Sequence, residues 1–451
     1  MTQTAIKPDQ LDRGMGLPGA IATNILNMVG VGPFLTIPLA LAAMGGPQAM
    51  IGWVLGALLA LCDGLVWAEL GSRFPRSGGP YHYLLAAYDP RKYGRLIAFL
   101  FLWQSLLIGP LSIASGAVGF AEYAGALHPA SPTQSKLIAM VLCVLNMALL
   151  YRSIRSVAAL SIAVMVAVLA TCGWIVISGM QHFNASMAFS FPSAAFHLTR
   201  GFWSGLGAAT LIAIYDYGGY NNVCLLGGEV RKPRVNIPRA VILSIIVVAA
   251  LYLAMNLSIL GTLPWQTAQN SKAIVADFMG VVHGGWAART VSVLILIASW
   301  GSAYAILLGY SRVPFAAAED GAFPKAFARI HPEKQFPTIS LLYMGLASAV
   351  LCLVSLAELI SVLIVIQTLL QFVGQCVAVI LLRRKHRERA PDVFRMPLYP
   401  LPVIAALIGW AYIVATSQIR HIAVALSFGF LGVIVFLLRA RNQQEWPFAQ
   451  I

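Results

Sequence analysis

Charge is what this sequence has least of. Only 10% of its 451 residues are Asp, Glu, Lys or Arg, where soluble domains carry about 25%, so the chain cannot dress a water-facing surface. Cysteine is sparse and unpatterned: Cys62, Cys143, Cys172, Cys224, Cys352 and Cys376 all fall inside long apolar runs without a CxxC spacing. That argues against a disulfide or thiolate metal site and leaves them as small buried hydrophobes. The eight histidines, His82, His128, His182, His197, His283, His331, His386 and His421, fall in loops or at the ends of apolar runs, and there is no HExxH or Walker loop. An enzyme reading therefore has no catalytic constellation to rest on. A channel reading lacks a carbonyl-lined filter motif or a ring-forming charge cluster inside a run.

What remains is hydrophobe, 59% of the chain. Twelve apolar runs lie at about 17–43, 49–71, 95–123, 134–151, 156–179, 202–228, 238–261, 286–311, 338–355, 358–382, 401–418 and 421–438. Each is near the roughly 17 to 25 residues that cross a bilayer as a helix. Runs such as Val241 to Val248 are continuous, whereas a membrane barrel alternates. The expected fold class is therefore an all-α integral membrane protein of twelve transmembrane helices. The opening 16 residues are polar and the first run is too long for an h-region, so that run is expected to stay in the membrane.

The net charge of +14 needs no nucleic acid. With the N-terminus inside, 25 of the 30 Lys and Arg fall in cytoplasmic segments, and only Lys136, Arg200, Lys272, Arg289 and Arg420 face outward. The positive-inside rule demands this asymmetry and reads both termini as cytoplasmic. The organisation expected is a cytoplasmic tail 1–16, a ten-helix core 17–382 made of a first repeat 17–179 and a second 202–382, a linker 383–400, two further helices 401–438, and a tail 439–451.

Two runs are interrupted where a helix should be regular. The first holds Val29-Gly30-Val31-Gly32-Pro33 and the sixth Tyr215-Asp216-Tyr217-Gly218-Gly219-Tyr220-Asn221. Glycine weakens a helix and proline removes an amide donor, so both stretches are expected to unwind. Unwound backbone at membrane depth must be buried in protein or line a cavity. Runs one and six open the two halves of a five-plus-five inverted repeat, and paired breaks in such positions mark a binding site.

Amides at Val31 and Gly32 would start a half-helix suited to a carboxylate, and carbonyls near Tyr215 and Asp216 would end one suited to an ammonium group. The candidate substrate-binding residues are Asn27, Val29, Gly30, Val31, Gly32, Tyr215, Asp216, Tyr217, Gly218, Gly219 and Asn221. Asn24 fits either the cavity or interhelical hydrogen bonding, and Gln367, Gln371 and Gln375 must share one helix face. Asp216 and Asp63 lie inside runs, where an ionised carboxylate costs roughly 2.5 to 3.5 kcal/mol, so each needs a partner, a cavity or a proton. Asp216 is the candidate for proton coupling, or for holding a cationic group of the substrate. No metal site is expected.

At these residues the chain resembles the amino acid/polyamine/organocation transporter superfamily. AELGSRFPRSGGPYHYL (68–84), GEVRKPRVNIPRA (228–240) and SRVPFAAAEDGAFPKAFARIHPEKQFPT (311–338) resemble its loop signatures in the right order. Gly30-Val31-Gly32, Tyr217-Gly218-Gly219-Tyr220-Asn221 and FRMPLYPLP (394–402) look like its L-type amino acid branch. The resemblance implies ten helices plus two, broken helices one and six, and alternating access without ATP or any cofactor. It implies a secondary active carrier in the cytoplasmic membrane for amino acids, neutral ones first, by proton symport or exchange. Cationic amino acids, polyamines and other amines are the alternative. The expected partners are the bilayer, the small amine or amino acid substrate and a proton. Run five lacks the lysine of some proton-coupled relatives, and Asp216 stands where the L-type pattern has a small residue.

The charge asymmetry predicts that single cysteines placed in either tail of a variant lacking the six native ones are labelled by a membrane-impermeant thiol reagent only after the cell is opened. Labelling of either tail in intact cells would overturn that topology.

Overall fold

A chain in lipid has to pair its own backbone, and the computed structural model does so with helices. It describes residues 11–89, 92–127, 130–354, 365–385 and 392–448. Residue 355 of the ninth expected run, the first part of the tenth, the ends of both tails, and Lys7, Arg91, Arg387 and Arg389 of the charge count lie outside the described residues. Among the described residues there is no strand, only isolated bridges.

The first run divides into α1 (Leu17–Met28), α2 (Gly32–Leu35) and α3 (Ile37–Met44). Then come α4 (Met50–Arg73), α5 (Gly79–Ala87), α6 (Tyr93–Leu127), α7 (Pro132–Leu149) and α8 (Ile154–Gln181). The sixth run gives α9 (Arg200–Tyr217) and α10 (Asn222–Leu225). It is followed by α11 (Pro233–Leu260), α12 (Ile274–His283), α13 (Gly285–Tyr310), α14 (Arg312–Glu319) and α15 (Thr338–Leu351). After a π-helical turn at Thr368–Phe372 the chain closes with α16 (Val373–Lys385), α17 (Leu401–Thr416) and α18 (Ile419–Asn442).

By length and composition seven of the described helices can cross a membrane, or eight when the first run, bent by 57° between Leu17–Leu35 and Ile37–Met44, counts as one span. The other expected spans are shorter here for separate reasons. α9 is cut at Gly218, α15 and α17 have 14 and 16 residues, and the tenth is described only from residue 365. Neither α5 nor α12 was expected as a helix, because each is too short to register as an apolar run.

α4 packs along α11, α6 along α13, and α1 against α10 and α11. The loop segments at 68–84, 228–240 and 311–338 meet at one end of the bundle. Gly78 N–H donates to Leu225 O at 2.7 Å and Ser72 Oγ to Arg234 O at 2.8 Å. The buried Arg312 guanidinium grips Glu229 with both arms, at 2.9 and 2.8 Å. Removing one partner of such a pair strands the other charge in the interior.

His82 of α5 is mostly covered at this end, its side chain 12% exposed, with Nδ1 3.7 Å from Asp320 Oδ2. Burial, helped by the nearby Arg76 cation, pushes its pKa from 6.5 down to about 3, so the imidazole is neutral and the contact with Asp320 is not an ion pair. The unfolded chain binds this proton more readily than the folded one, so stability is lost as pH falls from about 6.5 towards 3. His82→Gln is expected to flatten that part of the melting-temperature profile of the purified protein. An unchanged profile would remove His82 as a source of acid sensitivity.

Candidate functional site

The helix interruptions come where glycine and proline were read, and each has a local cause. α1 stops at Val29, and Gly32 and Pro33 restart it as α2. α9 stops because Gly218 leaves helical backbone (φ −58°, ψ 140°) and Gly219 takes φ +116°. A β-carbon at 219 would also strike Asn27, with its Cγ at 2.6 Å. Glycine is thus required both by conformation and by the close approach of the first run to the sixth.

Between the two breaks lies a cavity of about 80 Å³. Its wall holds Asn27, Gly30, Val31, Gly32, Tyr215, Asp216, Gly218, Gly219 and Asn221. Val29 and Tyr217, the other two candidates, turn away. Val29 is fully buried in the core, and Tyr217 packs edge-on to Trp53 at 6.0 Å and against Tyr252 at 5.4 Å. Residues of one helix point about 100° apart in succession, and Tyr217 lies on the side packed against Trp53 and Tyr252 while Tyr215 and Asp216 edge the cavity.

Of the rest of the wall the sequence reading singles out Gln367. α6 contributes Ser112, Ser115 and Gly116, α13 contributes Ser302, Ile306 and Tyr310, and Met28, Leu225, Gln367 and Phe372 complete it. Serines carry no period or motif that separates a cavity wall from ordinary helix packing. Tyr215 OH donates to Ser115 Oγ at 3.3 Å and Gln367 Nε2 to Tyr310 OH at 3.1 Å. Of the three glutamines on one face, Gln367 reaches the cavity, while Gln371 accepts from Gln104 Nε2 at 2.9 Å and Gln375 is wholly buried.

Asn24 is structural. Its Nδ2 donates to Tyr220 O at 2.6 Å and its Oδ1 accepts from Val223 N–H at 2.8 Å. One amide thus satisfies an acceptor and a donor of the broken sixth run. Tyr252 OH, 2.8 Å from Met28 O and 3.4 Å from Asp216 O, lies between carbonyls of both breaks. The hydroxyl has one proton to give, and the nearer Met28 carbonyl takes it, so the Asp216 carbonyl read for an ammonium group keeps acceptor capacity.

The two intramembrane aspartates differ in kind. Asp63 is fully buried and held by donors from three other segments: Tyr220 OH at 2.6 Å, Trp410 Nε1 at 3.1 Å and Cys376 Sγ at 3.7 Å. Asp216 is 2% exposed; Thr36 Oγ1 donates to its Oδ2, and Oδ1 has no partner among the described residues. That free oxygen sits where a β-carbon of residue 32 would stand, with the Tyr215 ring within 3.3 Å of the same point. No cluster of His, Cys, Asp or Glu suited to a metal occurs among the described residues.

The family described as amino acid permease matches residues 16–448. A serine/threonine exchanger of Bacillus subtilis is 26% identical over 94% of this chain and 96% of its own length. A branched-chain amino acid permease of the same organism is 24% identical over 96% of this chain and 92% of its own. The human Asc-type amino acid transporter 1 is 28% identical over 95% of this chain and 81% of its own.

Tyr220 is held twice, by Asn24 at its carbonyl and by Asp63 at its phenol, so Asp63 positions the sixth-run break. Tyr220→Phe removes a hydrogen bond to a charged group, worth about 1.5–3 kcal/mol. It is expected to lower both melting temperature and substrate affinity. Trp410→Phe keeps a ring on Phe372, now stacked at 4.2 Å, and is expected to lower melting temperature alone. Equal affinity losses, or none in either, would deny Asp63 that role.

Proposed function

We propose that this chain, which belongs to the amino acid permease family, carries small neutral amino acids across the cytoplasmic membrane by alternating access. A permease moves its substrate unchanged, so the chain is a transporter and not an enzyme, and it is a multi-pass membrane protein. The finer reading rests on one observation: the two helix breaks face each other across a cavity that also holds a carboxylate oxygen without a partner. Twelve spans, an inverted five-plus-five repeat and cytoplasmic termini belong to the same proposal, supported by the pairing of α4 with α11 and α6 with α13.

In this reading the substrate carboxylate meets the amides of Val31 and Gly32 at the start of α2, since Pro33 has no N–H and Phe34 N–H is bonded to Val31 O at 3.1 Å. The ammonium lies toward the end of α9 and Asp216. The side chain points at the serines of α6 and α13. The cavity's 80 Å³ is about half of an engineered 150 Å³ cavity that admits benzene, which favours serine, alanine or threonine over large side chains. The names of the serine/threonine exchanger and the Asc-type relative agree with that choice.

Asp216 decides how transport is driven. A buried carboxylate with one oxygen unsatisfied needs a proton or a cation. For a neutral amino acid the proton reading is preferred, since helix-end backbone can hold the α-ammonium. A second reading, cationic amines, is favoured by the same free Oδ1.

Asp216→Asn in proteoliposomes separates the two. Under the proton reading serine uptake survives and its pH dependence flattens. Under the cation reading lysine or putrescine affinity falls about tenfold or more while serine binds as before. Serine transport with an unaltered rate and pH profile, and no cationic substrate, would leave Asp216 a structural partner of Thr36.

A further inference from the structure

Away from the transport site a crevice of about 440 Å³ opens between α6, the segment after α14, and α18. Its walls are apolar and aromatic: Phe99, Trp103 and Leu106 on one side, Phe323 and Val435 on the others. The Trp103 indole is fixed by a hydrogen bond to Phe428 O at 3.0 Å and stacks on the Phe428 ring, so this wall is built in place. The rim is cationic. Lys325 is exposed and has no ionic partner among the described residues. Arg439, 19% exposed, is aimed across the mouth by a bond to Gly321 O at 2.9 Å.

Two acids stand near, and neither balances this rim. Glu445 is shared between Arg95 at 2.8 Å and Arg439 at 3.6 Å, and Asp320, turned to the neutral His82, is answered by the nearby Arg76 and Arg95 cations. Positive charge is therefore left over at one end of a slot whose other walls are hydrocarbon. A free anion would use the rim and leave the apolar walls bare, and a neutral lipid would use the walls and leave the charge unanswered. Only a molecule with an anionic head and an acyl tail meets both.

We infer that this crevice is a binding site for an anionic phospholipid, its phosphate between Lys325 and Arg439 and an acyl chain against Trp103, Leu106 and Val435. The lipid would brace α18 against α6 and the segment after α14, joining the last helix to the transport body at a place where protein packing is incomplete. Basic pockets between membrane helices commonly take such headgroups, and each Lys or Arg near the surface contributes about 1 kcal/mol to the attraction. The assignment stands on this crevice alone and is independent of substrate.

The test is a melting-temperature titration of the whole purified protein in uncharged detergent with phosphatidylglycerol, phosphatidylcholine or inorganic phosphate, because a ligand of the folded state raises its apparent stability. Phosphatidylglycerol is expected to raise the midpoint saturably, and the other two to leave it unmoved. Lys325→Gln should need about fivefold more phosphatidylglycerol for half the effect, and Lys325→Arg should restore it. Lys325 is exposed and touches no part of the transport cavity, so these variants fold and bind serine normally if the assignment is right. An equal response to phosphatidylcholine, a response to phosphate alone, or a Lys325→Gln titration that matches the parent would each overturn the proposal.

Discussion

The structure hangs on the rule that backbone polar groups cannot be left bare inside a membrane. Two helices are interrupted within apolar runs, and each interruption frees amides and carbonyls that need partners inside the protein. Asn24 supplies both a donor and an acceptor to the sixth run, and the Tyr252 hydroxyl lies between carbonyls of the first and the sixth. These contacts let the breaks exist. They also bring the first and sixth runs close enough that only glycine fits at position 219. What the protein can offer a ligand is the remainder: backbone groups left over once Asn24 and Tyr252 have taken their share, together with one oxygen of Asp216.

Most of this was legible in the sequence where chemistry and order along the chain coincide. Long uninterrupted apolar runs announced α4, α6, α8, α11 and α13, and Gly30, Gly32, Gly218 and Gly219 announced the breaks. The cavity gathered nine of the eleven residues named from those breaks, and it lost Val29 to the core and Tyr217 to its packing on Trp53 and Tyr252. Asn24 could be placed only in three dimensions, since the groups it serves lie about 200 residues away. The same holds for Asp63. Its donors stand at 220, 376 and 410, and no local pattern joins them. α5 and α12 were missed because each is about half a membrane span in length.

The two aspartates show how surroundings sort identical side chains. Both are buried and both lie in membrane helices. Asp63 has its oxygens occupied by three donors, so its charge is answered by the protein itself and its work is to hold other groups still. Asp216 has one donor and one vacancy, and the vacancy opens on the cavity. A fully satisfied polar network rigidifies, while a half-satisfied one waits for something to complete it.

The partners of the second helix have a consequence for how the protein is made. Glu69 is held by Arg383 through both guanidinium arms, at 2.7 and 2.5 Å, and by the Met396 amide at 2.9 Å, while Asp63 takes a bond from Trp410. Glu69 is synthesised more than 300 residues before the groups that answer it, and Asp63 meets Tyr220 after 157 residues but Cys376 and Trp410 only after more than 300. Until the C-terminal segments are made, the second helix therefore carries one acid with part of its final set of donors and one with none of them. The segment from Arg383 to Trp410 then completes the second helix's polar contacts rather than being an appendage to a finished core. A chain that terminates early would expose just the kind of polar intramembrane helix that membrane quality control removes.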